Sequence, residues 1–262
     1  MRQNYLYIGL AILVLIMMAG CDDDSTGMTE GDINDDAFLA GKANIDSSMT
    51  ESNKDMIEAI DSLFGGGLAK VAEPDSVDYD SSEGWHIRSW IRENDFLSHS
   101  VIDSFRFADA EGNYQRHRND ETDGFERRLK RNFSYDPGGE GFTTWDKSRN
   151  RNMNWEGLTD SLVSLDGDIY RHYYADNTRR LFEHTLQGDF EEVVFETEDV
   201  LDGRPSHAID GQFTGTFETD KVLPNREVHF AGEFTITFYP DHYHVHLVSG
   251  DNYWDWDVYY EY

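Results

Sequence analysis

Three histidines at alternate positions near the end of the chain are its best-spaced residues for chemistry. His242, His244 and His246 would share one face of a strand, because successive side chains of a strand point to opposite faces. Same-face neighbours lie about 7 Å apart, and two imidazoles at that spacing can hold one Zn²⁺. The triplet therefore predicts a divalent-metal site, with His229 or Asp241 as candidates for a third ligand. The alternative is a solvent-exposed face rich in histidine, since no second motif such as HExxH accompanies the triplet.

The last residues of the chain alternate between aromatic and polar side chains. In a strand, Trp254 and Trp256 would share one face, and Asp255 and Asp257 the other. One interpretation is a closing strand whose aromatic face packs in the core. The other is a ligand-binding strand, because aromatic rings stack on sugars and carboxylates accept hydrogen bonds from hydroxyl groups. These four residues are the candidate ligand-binding set.

The chain is strongly acidic, with a net charge of −30. Such a surface repels phosphate backbones, which argues against nucleic acid as a partner. The exception is segment 114–151, where Arg127, Arg128, Lys130 and Arg131 stand close together. This segment predicts either a solvated strand face that neutralises acidic neighbours, or a surface for the acidic N-terminal tether, an acidic partner or a polyanionic glycan.

A β-domain must position these residues, because the side-chain pattern has a period of two from Trp85 onward. Turn signals separate closely spaced strands without helical crossovers, which favours antiparallel hairpins. The predicted fold is an all-β antiparallel meander over residues 85–262, closed as a barrel or folded as a sandwich. The predicted strands are Trp85–Glu93, Val101–Ala108, Tyr114–Arg118, Phe125–Tyr135, Asn152–Thr159, Ile169–Tyr174, Arg180–Leu186, Phe190–Thr197, Gln212–Thr219, Glu227–Tyr239, His242–Val248 and Tyr253–Tyr262.

Three segments separate this domain from the N-terminal 21 residues. Residues 22–47 are rich in Asp, Ser, Gly and Asn, which predicts an acidic flexible tether. Residues 48–64 carry apolar side chains at helical spacing, which predicts one short amphipathic helix that ends at a run of three glycines. Residues 65–84 are predicted to be a linker. The helix would dock on the β-domain, either as a fixed cover or as a movable lid over a ligand cavity.

The N-terminal residues 1–21 contain an apolar run from Tyr5 to Met18, two small residues and Cys21, the one cysteine of the chain. The run is too short for a membrane-spanning helix but suits a signal sequence. This segment resembles a bacterial lipoprotein signal peptide with its lipobox. The resemblance implies cleavage before Cys21, acylation of Cys21 with chains such as palmitate, and anchoring in the cell envelope. The outer membrane or cell surface is favoured over the inner membrane.

The function expected from these features is non-catalytic. The sequence contains no nucleophile elbow, phosphate-binding loop or dinucleotide fingerprint. A lipid-anchored envelope protein would bind an apolar or glycan ligand, or hold an envelope partner near the membrane, and would need no cofactor. The alternative is a metal-binding protein or metal-dependent enzyme that holds a divalent ion on the strand of His242, His244 and His246.

Overall fold

The computed structural model describes residues 36, 38–43, 45–47, 49–50, 76–139, 142–177, 179–201 and 207–260. Most of them belong to one twelve-stranded antiparallel sheet. A short helix, Thr197–Leu201, precedes the ninth strand. The strands are β1 (Ser76–Asp80), β2 (Trp85–Glu93), β3 (Leu97–Asp109), β4 (Tyr114–Gln115), β5 (Thr122–Tyr135), β6 (Thr144–Glu156), β7 (Leu162–Asn177), β8 (Arg180–Glu196), β9 (Ala208–Leu223), β10 (Arg226–Phe238), β11 (His242–Ser249) and β12 (Asn252–Tyr259).

The strands lie in the sheet almost in the order of the sequence. The path runs β1-β2-β3-β5 and then continues strand by strand to β12, while β4 pairs with β3 alone. All the strand pairs of the sheet are antiparallel. The predicted all-β antiparallel meander is therefore confirmed. The sheet is not closed, since among the described strands β1 and β12 each pair with a single neighbour.

Some glycines predicted to mark turns lie inside long strands. The sequence predicts two strands over 180–186 and 190–197, but β8 runs through both and contains Gly188 near its middle. A Cβ atom at Gly188 would lie 2.6 Å from a ring carbon of Phe213. Glycine at this position therefore makes room for an aromatic ring that lies across the strand, and it does not end the strand.

The sheet also begins earlier than the sequence predicts. Strand β1 occupies residues 76–80, within the predicted linker 65–84, and pairs with β2 along its whole length. The linker prediction is wrong for these residues, because a five-residue strand is too short to show a clear period-two pattern. Its place in the sheet is fixed by pairing with the longer neighbour β2.

A helical segment packs against the sheet before β1. Residues 36, 38–43, 45–47 and 49–50 are helical, and Phe38, Ile45 and Met49 are buried. The prediction of a flexible tether is wrong for the described residues 36, 38–43 and 45–47, because they are helical and Phe38 and Ile45 pack in the core. Residues 49–50, which belong to the predicted helix, are helical as predicted. The rest of the tether, 22–35, and residues 51–64 of the predicted helix lie outside the described residues.

The hydrophobic core lies on one face of the sheet, which we call the inner face. The helical segment covers the β9–β12 part of this face, where the ring of Phe38 lies 5.7 Å from that of Trp254 between centroids. We call the opposite face the outer face. Large side chains that are almost fully buried in the core include Trp155, Leu165, Ile169, Leu186, Phe213, Ile236, Leu247 and Trp254.

Candidate functional site

The three histidines of β11 lie on the outer face, opposite two aspartates of β12. In the antiparallel register His244 pairs with Asp257, and His246 pairs with Asp255. The residues that alternate with these histidines, such as Val245, point into the core. The prediction that the three imidazoles share one face is confirmed. We call His242, His244, His246, Asp255 and Asp257 the His–Asp ladder.

Each aspartate of the ladder lies between two imidazoles. One oxygen of Asp255 is 2.7 Å from Nδ1 of His246 and 3.3 Å from Nε2 of His244. One oxygen of Asp257 is 2.8 Å from Nδ1 of His244 and 3.9 Å from Nε2 of His242. The ladder is thus a continuous row of alternating basic and acidic groups across two strands. A neutral imidazole can donate one N–H to this row, and a protonated one can donate two.

The ladder ends at Asp241, whose carboxylate lies 2.7 Å from Nδ1 of His242. This hydrogen bond to His242 holds the pKa of Asp241 below its ordinary value. Asp241 therefore lies next to His242 and stays a candidate for the predicted third ligand. His229 lies too far from the ladder. The residue of β10 that pairs with His244 is Thr237, and His229 lies eight residues before Thr237 on that strand. That separation is about 26 Å at 3.3 Å per residue, so His229 as a third ligand is a wrong prediction.

Three exposed tyrosines surround the ladder. Tyr239 is 41 % exposed, Tyr253 37 % and Tyr259 65 %. The ring of Tyr239 stacks on His242 at 4.8 Å between centroids, and that of Tyr259 lies 5.2 Å from the same imidazole. Tyr253 lies 6.1 Å from His246 and borders a shallow depression of about 250 Å³ at the β11–β12 turn. Aromatic faces and hydrogen-bonding groups therefore alternate along one edge of the sheet.

The four residues predicted to bind a ligand do not meet at one surface. Asp255 and Asp257 belong to the outer ladder, whereas Trp254 and Trp256 are buried on the inner face. Phe38 covers both tryptophans, at centroid distances of 5.7 and 5.6 Å. The two tryptophans are core residues here, as the closing-strand interpretation requires. The exposed aromatic rings beside the ladder are tyrosines instead.

Among the described residues, one group of three possible metal ligands has its ligand atoms close together, and it lies at the far end of β9 and β10, away from His242, His244 and His246. Glu218, Asp220 and His229 each offer one ligand atom, and these atoms lie within 4.8 Å of one another. Asp220 is 2.8 Å from Nδ1 of His229, and this hydrogen bond raises the pKa of His229. Sequence reasoning missed the cluster, although Asp220 and His229 stand at equal distances from the centre of the β9–β10 turn. All three groups are on the surface, where exposed acidic groups commonly pair with histidine.

The predicted basic segment is divided between the two faces. Arg128 lies on the outer face, where its guanidinium carbon is 4.3 Å above the ring of Trp85. Arg127 lies on the inner face, is 5 % exposed and donates from Nε to Asp103 at 2.8 Å. Asp103 also accepts a hydrogen bond from Arg88 at 2.5 Å. Burial acts to raise the pKa of Asp103, but the two arginines outweigh burial and hold it below the ordinary value. Arg127 is therefore a buried ion-pair partner and not part of a solvated face.

Comparison of the chain with protein-family models, with curated proteins and with solved structures found no match. Within the described part of the chain, none of the helices has the length and apolar character needed to cross a membrane.

Proposed function

We propose that this chain is a non-catalytic binding protein of the cell envelope, anchored through Cys21, and that the His–Asp ladder with its tyrosines is a glycan-binding surface. The observation that supports this proposal most strongly is the placement of Tyr239, Tyr253 and Tyr259. All three are substantially exposed, and all three have their rings next to ladder imidazoles.

The groups on this surface can bind a sugar both by stacking and by hydrogen bonds. A tyrosine ring offers an apolar face to the C–H groups of a pyranose, and its hydroxyl group can form a hydrogen bond. The carboxylates of Asp255 and Asp257 accept hydrogen bonds from sugar hydroxyls, and the imidazoles between them can donate or accept. The eight residues of β12 extend over roughly 26 Å, which suits several linked sugar units.

The charge of the surface narrows the class of glycan. Asp241, Asp255 and Asp257 lie on this face of a chain with a net charge of −30. A polyanionic glycan would be repelled at low ionic strength. We therefore propose a neutral glycan as the ligand, bound by stacking and hydrogen bonds rather than by opposite charge.

Titration of the detergent-solubilised protein with neutral oligosaccharides tests the ligand proposal. Tyr259→Ala and Tyr239→Ala should each weaken binding by roughly tenfold, because each removes a stacking face worth about 1 kcal/mol or more. Phe142→Ala is the matched control, since Phe142 is also an exposed ring (61 %) and is not part of the ladder surface. Equal binding by all three variants would contradict the proposal.

The anchoring proposal is tested separately by membrane fractionation. It rests on the resemblance of residues 1–21 to a lipoprotein signal, so the wild-type protein should sediment with membranes and incorporate labelled palmitate. Cys21→Ser should lose both properties. Recovery of both forms from the same soluble fraction, without label, would reject the anchor and leave the ligand proposal untouched.

A second candidate function is divalent-metal binding on the same ladder. The observation that favours it is the convergence of His244 and His246 on one oxygen of Asp255, at 3.3 and 2.7 Å. Imidazole and carboxylate are a donor set that Zn²⁺ accepts. Elemental analysis after dialysis against Zn²⁺ should then find one ion per chain, lost in His244→Ala and retained in His172→Ala. His172 is a suitable control because it also pairs with a carboxylate, that of Glu183, at 2.9 Å.

A further inference from the structure

Two carboxylates and one imidazole meet on the outer face near the β9–β10 turn. Glu218 and Asp220 are two residues apart on β9, so their side chains share a face, and His229 of β10 pairs in register with Asp220. Ala231 pairs with Glu218, and its short side chain leaves room for the imidazole between the two acids. We call Glu218, Asp220 and His229 the β9–β10 cluster.

The ligand atoms of the cluster have nearly the spacing that a small ion requires. Nδ1 of His229 is 2.8 Å from one oxygen of Asp220 and 3.9 Å from one oxygen of Glu218. Ligands bound at about 2.1 Å to a tetrahedral Zn²⁺ lie about 3.4 Å apart, a value between these two distances. Changes of roughly 0.5 Å in the two separations would therefore surround one ion with the nitrogen and an oxygen from each acid.

The charges around the cluster also favour a cation. Within the described chain, Glu218 and Asp220 form ion pairs with His229 alone, and a neutral imidazole does not balance two carboxylates. Glu183 of β8 pairs in register with Asp220, and like charges directly opposite each other destabilise a sheet. The outer-face positions of β7, β8 and β10 that adjoin the cluster contain no Lys or Arg, and the acids among them are Asp176, Glu183 and Glu227. A divalent ion would supply the missing positive charge.

We propose that the β9–β10 cluster is a Zn²⁺ site with three protein ligands and water in the fourth position. The imidazole nitrogen distinguishes Zn²⁺ from Ca²⁺ and Mg²⁺, which prefer oxygen ligands alone. Nδ1 of His229 binds the ion only without its proton, so the ion takes the place of the hydrogen that Asp220 accepts from it. Glu183 is a neighbouring charge and not a ligand, because its carboxylate lies 2.9 Å from Nε2 of His172.

This site is separate from the His–Asp ladder and does not depend on the glycan or anchor proposals. His229 lies eight residues before Thr237, the β10 residue that pairs with His244, which is a separation of about 26 Å. The side chains of Glu218 and His229 are 59 % and 57 % exposed. A bound ion would therefore exchange with the surrounding solution, unlike the enclosed ion of a structural zinc site.

Calorimetric titration of Zn²⁺ into the untagged full-length protein in detergent, first stripped of metal with EDTA, tests the proposal. The titration uses a His244→Ala/His246→Ala background, so that any ion held by the ladder is absent. One Zn²⁺ should bind per chain, and adding His229→Ala should weaken this binding by about tenfold or more, because one of three ligands is lost. Adding His117→Ala instead is the matched control, since His117 is exposed and lies outside the cluster.

Two results of this titration would overturn the proposal. One is the absence of saturable Zn²⁺ binding in the background variant. The other is an affinity that His229→Ala leaves unchanged or lowers no more than His117→Ala does. The replaced histidines of the cluster and the control are exposed, so circular dichroism should show the same sheet content in every variant.

Ca²⁺ is the probe for the competing explanation, in which the acids attract any divalent ion through charge alone. A large excess of Ca²⁺ should leave the Zn²⁺ affinity of the background variant within about twofold, because Ca²⁺ gains little from an imidazole ligand. Displacement of Zn²⁺ by Ca²⁺ would overturn the proposal.

NMR of the imidazole nitrogens identifies the ligand directly. In the same background, one equivalent of Zn²⁺ should shift the Nδ1 signal of His229 and leave the signals of His117 in place. A shift confined to other histidines would show that the ion binds elsewhere and would overturn the proposal.

Discussion

The two faces of this sheet hold their charges in different ways. On the outer face, Asp255 and Asp257 lie between imidazoles, and their side chains remain 28 % and 42 % exposed. On the inner face, Asp103 is 3 % exposed and binds two arginines that are buried with it. Exposed pairs contribute little to stability because water competes for them, whereas removing one partner of a buried pair is costly. The outer face is suited to exchanging partners with a ligand, and the inner face is suited to maintaining the fold.

Removing one carboxylate from each face tests most directly whether the two faces differ in this way. Asp103→Ala should lower the free energy of unfolding by roughly 3–5 kcal/mol, because Arg127 and Arg88 would stay buried without their partner. Asp255→Ala should cost at most about 1 kcal/mol, because its imidazole partners are partly exposed. Urea unfolding of both variants measures the difference. Equal costs would show that the two faces do not differ as described.

The next largest effect tests whether the helical segment belongs to the folded body. Phe38→Ala should lower the free energy of unfolding by about 3 kcal/mol, because it removes a buried ring from Trp254 and Trp256. Leu39→Ala is the matched control on the same helix, since Leu39 is 43 % exposed and should change stability by less than about 0.5 kcal/mol. Similar values for the two variants would assign residues 36–50 to a tether after all.

Acid should affect the inner face through His184. Burial lowers the pKa of His184 to about 4, so folding favours its neutral form. The resulting stabilisation is complete above the unfolded pKa of about 6.5 and is lost as the pH falls from there towards 4, by up to roughly 3 kcal/mol. His184→Gln should flatten the dependence of unfolding free energy on pH between 6.5 and 4. If the slope of unfolding free energy against pH is the same in His184→Gln as in the wild type, His184 has the same pKa in the folded and unfolded states.

The smallest effect should come from His229 on the outer face. Its contribution to stability is lost as the pH rises, whereas that of His184 is lost as the pH falls. The hydrogen bond that His229 donates to Asp220 raises the pKa of His229, so the stabilisation is complete below about pH 6.5 and is lost as the pH rises through the folded pKa. His229→Gln should change the unfolding free energy by less than about 0.5 kcal/mol because the pair is exposed. NMR titration of the His229 imidazole should give a pKa above the ordinary histidine value, and a lower pKa would contradict this assignment.

The repeating part of the fold could be predicted from local pattern. A period of two places His242, His244 and His246 on one face whatever the neighbouring strands are, and the structure agrees. The residues that pair with these histidines could not be predicted from the period of two alone. Asp255 and Asp257 face them because the β11–β12 turn sets a register of 244 with 257, and a shift by one residue would have turned both aspartates into the core.

Features that depend on contacts between distant residues could not be predicted. Arg127 and Arg128 are equivalent in a one-dimensional charge count, but the alternation of β5 sends one into a buried pair with Asp103 and the other over Trp85. The sequence predicts a turn at Gly188, and only the position of the Phe213 ring shows why a glycine is needed inside the strand. Phe38 and Ile45 stand among many polar residues, and the helical turns around them gain stability from the sheet against which these two side chains pack.

The contact of Phe38 with Trp254 and Trp256 also determines how force would pass through the molecule. Phe38 packs directly behind the strand whose other surface presents Asp255 and Asp257. With the anchor and the ligand proposed above, a pull between a bilayer and a bound glycan would load this contact, since the two would act on opposite surfaces of β12.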